Sequence, residues 1–370
     1  MQRNGSTSAI WGIGTAVPKY RISQQQALAF METYYRSDAV LKRRLASIYG
    51  RSHIDFRHSC ADFSMPPADR NGGPDRFLLE NPGTGTRMQE YASRVIPLVE
   101  TAARQALARQ TAFKASDVSH LITVTCTGFC APGPDLVLME RLGLRRDVRR
   151  LQIGFMGCQA ALQGLHTADA ICRSDPQAVV LVVCAELCTL HFQNEPTNEN
   201  LIVNSLFADG AGAAVVGSAG DGALCKLGRF ASYVAPDTAD LISWHIRDTG
   251  FEMGLSMATP KALRRALPGF LQMLMADGHL EKEGIDLWAV HSGGRAILDA
   301  VERSLELDPD DLRASRDVLR SHGNMSSPTV LFVMKRILEG AGKAPANGVA
   351  LTFGPGLSLE GMLWRKDGRP

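Results

Sequence analysis

The chain reads as an α/β protein in which buried mixed sheets are layered with helices. Three observations predict this. Short apolar runs rich in β-branched residues alternate with longer stretches of helical periodicity. The alternation continues through all 370 residues, enough for one large domain or two fused ones. A weak echo relates the two halves, each holding a strand that ends in a chemistry-bearing residue before small residues. These are Gly157-Cys158-Gln159 in the first half and Val290-His291-Ser292-Gly293-Gly294 in the second.

In chain order, residues 10–15 read as a first strand and turn, and 34–90 as a poorly periodic insertion bearing Arg and Pro. A helix over 91–109 leads to a strand over 121–125, and a short buried strand over 151–155 leads to a helix over 159–173. Strands follow at 179–183 and 212–217. A composition shift at Ala219-Gly-Asp-Gly222 divides residues 1–220 from 221–370. The second part reads as a helix over 260–277, a strand over 287–291, helices over 294–306 and 329–339, and a strand over 349–353.

Composition bounds the function. Hydrophobic residues make up 45% and charged residues 21%, an ordinary globular balance. A formal charge of +2 gives no polyanion signal, so a nucleic-acid partner is not expected. No apolar run reaches the roughly 18 residues that span a bilayer. The first residues lead into strand without a secretory apolar core, so a cytoplasmic setting is the default. The eight cysteines are then expected as thiols. The pairs Cys126/Cys130 and Cys184/Cys188 are spaced more loosely than zinc ligands usually are, and Cys184 falls in a strand pattern, so no metal is expected.

Cys158 follows an apolar run and Gly157, and precedes Gln159-Ala160-Ala161-Leu162. It therefore lies on a strand-to-helix elbow at a helix N-terminus. Free N–H groups and the helix dipole there favour a thiolate able to attack an acyl carbonyl and hold the acyl group as a thioester. The alternative is a buried structural cysteine. His291 ends the strand Leu287-Trp288-Ala289-Val290 before a Gly-Gly turn, where α/β sheets present groups to ligands; the alternative is a core or capping histidine. Asn324, in Ser321-His322-Gly323-Asn324-Met325-Ser326-Ser327, is either a turn residue or a neutral donor for an oxyanion. His322 is the competing histidine. Together, Cys158, His291 and Asn324 are the parts of a thioester condensation site. The neutral imidazole and carboxamide can stabilise the enolate left when a malonyl thioester loses CO₂.

Several segments resemble the type III polyketide synthases, the chalcone synthase-like enzymes. They are Gly154-Phe-Met-Gly-Cys158, Trp288-Ala-Val-His291-Ser-Gly-Gly-Arg-Ala-Ile-Leu-Asp299, His322-Gly-Asn324-Met-Ser-Ser and Phe353-Gly-Pro-Gly-Leu-Ser-Leu-Glu360. Further matches are Ile10-Trp-Gly-Ile-Gly-Thr-Ala-Val-Pro18, Thr125-Cys-Thr-Gly-Phe-Cys-Ala-Pro-Gly133 and Leu206-Phe207-Ala-Asp-Gly-Ala-Gly-Ala-Ala. The resemblance covers nearly the whole chain in order. It implies a thiolase-like fold, two similar halves in an αβαβα arrangement, and a homodimer. It implies that Cys158 is the nucleophile with His291 and Asn324 as partners, that Phe207 and Phe251 guard the coenzyme A tunnel, and that Cys126, His191, Trp244 and Ser326 line the cavity. Coenzyme A, a substrate carrier and not a resident cofactor, would be gripped by Arg43, Arg44 and Arg51, with Gly294 and Ala296 beside it.

Ala131 departs from the plant-like enzymes, which carry methionine before this Pro-Gly. Cys126 replaces the small hydroxyl residue usual in plants. Ser243-Trp-His-Ile-Arg-Asp-Thr-Gly-Phe-Glu-Met253 and Cys184-Ala-Glu-Leu-Cys-Thr-Leu-His-Phe192 resemble the bacterial alkylresorcinol and alkylpyrone synthases more than chalcone synthase. The implied reaction loads an acyl-CoA starter, of fatty acyl type, on Cys158. It is extended with malonyl-CoA and cyclised to an aromatic or pyrone product. The alternatives are a malonyl-primed tetrahydroxynaphthalene or phloroglucinol type synthase, and a single-round ketoacyl synthase. A hydroxymethylglutaryl-type condensing enzyme would want a carboxylate near the cysteine. The acidic candidate is Glu186, which follows a strand without evident partners. A scaffold protein that kept the fold would have no need of the three residues together.

Overall fold

The computed structural model describes residues 7–64, 76–276 and 280–368. The first part of the chain forms β1 (Ser8–Ala16), β2 (Tyr20–Ser23), α1 (Gln24–Tyr34), α2 (Ala39–Gly50), β3 (Phe56–Ser59), α3 (Arg76–Glu80), α4 (Thr84–Arg94) and α5 (Ile96–Ala108). It continues with β4 (His120–Thr125), α6 (Pro134–Leu142), β5 (Arg149–Gly154), α7 (Ala160–Ser174), β6 (Val180–Leu187), α8 (Asn198–Leu206) and β7 (Asp209–Ser218). Then come β8 (Cys225–Val234), β9 (Ile242–Arg247), β10 (Gly250–Leu255), α9 (Thr259–Leu274), β11 (Leu287–Val290) and α10 (Arg295–Leu305). The chain closes with α11 (Arg313–His322), α12 (Thr329–Gly340), β12 (Ala346–Gly354) and β13 (Ser358–Lys366).

Nine strands form one sheet in the order β11-β12-β13-β8-β1-β7-β6-β4-β5. The two sides repeat one pattern. β4 pairs parallel with β6, β6 antiparallel with β7, and β7 antiparallel with β1. Likewise β11 pairs parallel with β12, β12 antiparallel with β13, and β13 antiparallel with β8. Among the described residues, the strands of the two sides pair where Ala9 and Ile10 of β1 face Lys226 and Cys225 of β8.

Strand side chains alternate between apolar layers, as a two-residue period requires. Val180, Val182 and Cys184 of β6 enter a central layer that holds Ala160, Leu162 and Leu165 of α7 and Val330, Leu331 and Val333 of α12. Leu181 and Val183 point oppositely, onto Val99, Ala102 and Ala106 of α5. On the other side, Val349, Leu351 and Phe353 of β12 join Leu263, Leu267 and Phe270 of α9 and Leu298 of α10. Helix, sheet, helix, sheet and helix thus stack in five layers, the thiolase-like arrangement. A central strand buried on both faces reads as an unbroken apolar run, which is why β6 and β7 were legible without alternation.

Two details differ from the sequence reading. The helix expected over 91–109 is two helices, α4 and α5, that meet at Val95; Pro97 lies in the first turn of α5, where a missing N–H costs nothing. The stretch 34–90 is structured where described. Asp38 caps α2 by accepting from Val40 and Leu41 N–H, and β3 pairs with β2. The remainder of that stretch, residues 65–75, and the expected helix end at 277 lie outside the described residues, as do residues 1–6 at the start of the chain. Among the described residues, no helix is long and apolar enough to cross a membrane.

Candidate active site

β5 delivers the chain to a tight elbow. Phe155 and Gly157 both take positive φ, +57° and +71°. A one-turn 3-10 helix, Gly157–Gln159, then feeds α7. A Cβ on Gly157 would lie 2.2 Å from Cδ of Pro355, so only glycine fits the turn. Gly157 N–H donates to Cys126 Sγ at 3.0 Å, which fixes the 126 loop against the elbow. Cys158, at the N-terminal end of α7, is buried.

His291 follows β11, and its N–H continues the parallel ladder to Leu351 O at 2.9 Å. The ring is buried and neither nitrogen has a hydrogen-bond partner. Asn324 sits beyond α11. Its N–H donates to Leu206 O at 2.9 Å, and its carbonyl accepts from Ala208 N–H at 2.8 Å, so it is clamped on both sides of Phe207. Asn324 Oδ1 accepts from Ser326 N–H at 2.8 Å and Nδ2 donates to Gly293 O at 3.2 Å. This orientation ties the carboxamide to the turn after His291 and leaves one amide hydrogen for a ligand. Cys158, His291 and Asn324 line one cavity.

Burial dominates the protonation states. It pushes the Cys158 thiol up to about 11; the Ser326 hydroxyl and Asn324 amide pull it down, and the Glu186 carboxylate adds to the rise. This is opposite to the low thiol pKa expected from the helix N-terminus, because desolvation of an anion outweighs the dipole there. Burial holds His291 down, to about 3, so its imidazole is neutral. His191, the other imidazole lining the cavity, is also pushed down to about 3. Its Nε2 bonds to Thr127 O at 2.7 Å and its Nδ1 accepts from Phe251 N–H at 3.0 Å. Both nitrogens of His191 are thus engaged, whereas neither nitrogen of His291 has a hydrogen-bond partner. His322 ends α11 against His58, ring centroids 5.7 Å apart, and is not among the cavity-lining residues.

The aromatic residues meet as a cluster. Phe251 stacks on His191 at 4.2 Å and 9° and meets Trp244 edge-on at 5.8 Å. Trp244 Nε1 donates to Cys126 O at 2.8 Å. Phe207, Phe251, Cys126, His191, Trp244 and Ser326 all line the cavity. Ser326 holds φ at +58°, a conformation costly for a residue with a Cβ and kept here beside Cys158. Arg43, Arg44 and Arg51 lie on or just beyond α2, at or near the surface, and do not line the cavity. Gly294 and Ala296 are likewise outside it, and their neighbours Gly293 and Ile297 line it.

Glu186 corrects the sequence reading. It lies within β6, fully buried, and has four donors. Oε2 accepts from Cys126 N–H at 2.9 Å, Thr127 Oγ1 at 2.7 Å and Thr125 Oγ1 at 3.3 Å. Oε1 accepts from Ser327 Oγ at 2.5 Å. Burial still raises its pKa to about 7 against those bonds. The carboxylate joins the 126 loop to the turn carrying Asn324. A charged residue inside a continuous apolar strand was the available signal. Cys188, Thr127 and the α1 side chains on the cavity wall had none.

A two-sided thiolase-like fold with cysteine, histidine and asparagine on one buried cavity defines a thioester-condensing enzyme. The N-terminal domain profile of "Chalcone and stilbene synthases" matches residues 1–220 and the C-terminal domain profile residues 227–366. The chain belongs to this family, whose members condense thioesters as type III polyketide synthases. It is 31% identical over 366 residues to the "Alpha-pyrone synthesis polyketide synthase-like Pks18" of Mycobacterium tuberculosis (97% of this chain, 91% of that protein). It is 34% identical over 364 residues to the "1,3,6,8-tetrahydroxynaphthalene synthase" of Streptomyces griseus (95% and 92%). It also matches "Probable polyketide synthase 1" of Dictyostelium discoideum at 31% identity, over 98% of this chain and 12% of that much longer protein. The crystal structure of PKS-I from the brown alga Ectocarpus siliculosus superposes with a TM-score of 0.90 at 29% identity, over 99% of this chain and 100% of that one.

Proposed function

We propose that this type III polyketide synthase takes a fatty acyl-CoA starter, carries it on Cys158, and extends it with malonyl-CoA before ring closure. The observation that carries this reading is the cavity. It is lined by Cys158, His291 and Asn324 together with many Phe, Met, Leu, Ile and Val side chains. Burying a chain there stabilises it by about 0.8 kcal/mol per CH₂.

As the sulfur of Cys158 attacks the starter carbonyl, its proton passes by way of His291 to the departing coenzyme A, which leaves as the thiol. Malonyl-CoA then loses CO₂, the C–C bonding electrons passing to an enolate oxygen. In this reading the N–H of His291 and the remaining amide hydrogen of Asn324 hold that oxygen. The enolate carbon attacks the acyl-cysteine carbonyl, a C–C bond forms, and Cys158 is released. Return of the lengthened chain to Cys158 permits another round. Both donors are neutral, so neither a resident cofactor nor a metal is needed in this scheme. Arg44 and Arg51 are assigned to the coenzyme A phosphates, with Gly294 and Ala296 at the pantetheine entrance.

A homodimer through the β5 edge fits the apolar side chains exposed on and beside it: Leu151, Met156, Phe129 and Leu136. Light scattering on the purified protein tests this, with a monomer as the contrary result. The starter assignment is tested with an acyl-CoA panel from acetyl to hexadecanoyl and labelled malonyl-CoA. Rising kcat/KM with chain length supports it. A flat or falling profile supports malonyl priming instead.

A further inference from the structure

One part of the cavity wall is contributed by α1, α3 and the segment after β3. Phe30 and Met31 of α1, Phe63, and Leu78 of α3 all line it and are all buried. Here the α1 sequence does two jobs. Ala27, Phe30 and Met31 recur on one face, so the helix buries that face, and the Phe30–Met31 end of it becomes cavity wall.

The wall is not uniform. Phe30 is braced by aromatic neighbours: 5.8 Å to the Phe63 ring, 5.7 Å to Tyr34 and 6.4 Å to Phe192. Met31 belongs to no ring pair, is unbranched, and fills space by rotamer choice. Arg57 also lines the cavity. Its Nε donates to Gln24 Oε1 at 3.1 Å, and its Nη1 to Asn204 O and Phe207 O, both at 2.7 Å; Nη2 has no partner.

We infer that Phe30, Met31, Phe63 and Leu78 form the stop against which the hydrocarbon end of the starter packs, and that Met31 sets the longest chain accepted. This rests on the acyl-starter reading above. A stop of this kind gives a specific profile. Each added methylene raises kcat/KM about fourfold until the chain touches the wall, after which it falls.

The test is the acyl-CoA panel run on the native enzyme, Met31→Ala and Met31→Phe, scored as ratios of kcat/KM between chain lengths so that a general loss of activity cancels. Met31→Ala moves the optimum longer by roughly two methylenes, the space vacated, and Met31→Phe moves it shorter. Leu78→Ala, also lengthening, replaces Met31→Ala if that variant is not recovered folded. An optimum in the native enzyme that none of the variants moves overturns the stop while leaving the acyl starter standing. No rise with length in the native enzyme overturns the starter reading, and the stop with it. A preference for ω-hydroxydodecanoyl-CoA over dodecanoyl-CoA shows that the free Nη2 of Arg57, not hydrocarbon packing, reads the chain end, and also overturns the inference.

Discussion

Replacing Gly157 with alanine tests whether the elbow positions Cys158 as tightly as its geometry implies. Two costs apply. At φ +71° an alanine pays roughly 1 kcal/mol of left-handed strain. Its Cβ would also lie 2.2 Å from Pro355 Cδ and 2.9 Å from Pro355 Cγ, where contacts of about 3.5 Å or more are normal. Relief requires a shift of more than 1 Å. Pro355 is rigid, and Gly354 before it lies against Gln159, where an added Cβ would come within 2.8 Å of its side chain. The elbow therefore moves, and Cys158 with it; a displacement of about 1 Å at a reacting atom costs on the order of 10²-fold in rate. Gly143→Ala is the matched control. Gly143 has φ +65° but nothing within 4 Å of an added Cβ, so it carries the strain without the collision. Urea unfolding and condensation kinetics on both variants separate the two costs. Gly143→Ala loses about 1 kcal/mol of stability with little change in kcat, whereas Gly157→Ala loses about 2–4 kcal/mol and about 10²-fold in kcat. Equal activity in the two variants would refute the positioning argument.

Asn324→Ala removes a donor to the enolate, and malonyl-CoA decarboxylation falls on the order of 10²–10³-fold while starter loading on Cys158 persists; normal decarboxylation with failed loading would reverse the assigned roles. Glu186 binds its proton more tightly folded, near pH 7, than unfolded, near 4.5. Between these values the native state holds more protons, so stability falls as pH rises. Relative to Glu186→Gln, the native protein loses up to roughly 3 kcal/mol between about pH 5 and 7 in urea titrations; a constant difference contradicts that burial. His191→Ala leaves Phe251 N–H and Thr127 O without their shared partner and removes the ring stacked on Phe251. KM for acyl-CoA rises more than kcat falls, with no pH dependence from pH 5 to 8, since His191 is neutral throughout. A native-to-variant ratio that changes with pH would show that His191 titrates in the working range.

The parts of this molecule that were legible in the sequence are those written locally. Gly157 before Cys158, and Gly293-Gly294 after His291, announce turns at strand ends because a tight turn must be encoded within a few residues. The central strands were legible because burial on both faces demands unbroken apolar runs. The Glu186 network was not: its donors Thr125, Thr127 and Ser327 come from two other segments, and nothing near position 186 names them. The break at Val95 was hidden because Pro97 suits a helix start as well as a kink. Phe30 and Met31 read only as one face of a helix, since which surface a face covers is decided by tertiary packing. The thiol pKa of Cys158 was misjudged for the same reason, a helix terminus being local and desolvation not.

The most direct test of the account is to trap the acyl-enzyme. Native protein incubated with dodecanoyl-CoA alone, then digested and mapped by mass spectrometry, carries the dodecanoyl group on Cys158, and addition of malonyl-CoA discharges it into polyketide product. Dodecanoyl label on Cys126 or Cys188 with Cys158 unmodified, or product formed by Cys158→Ala at the native rate, would contradict it.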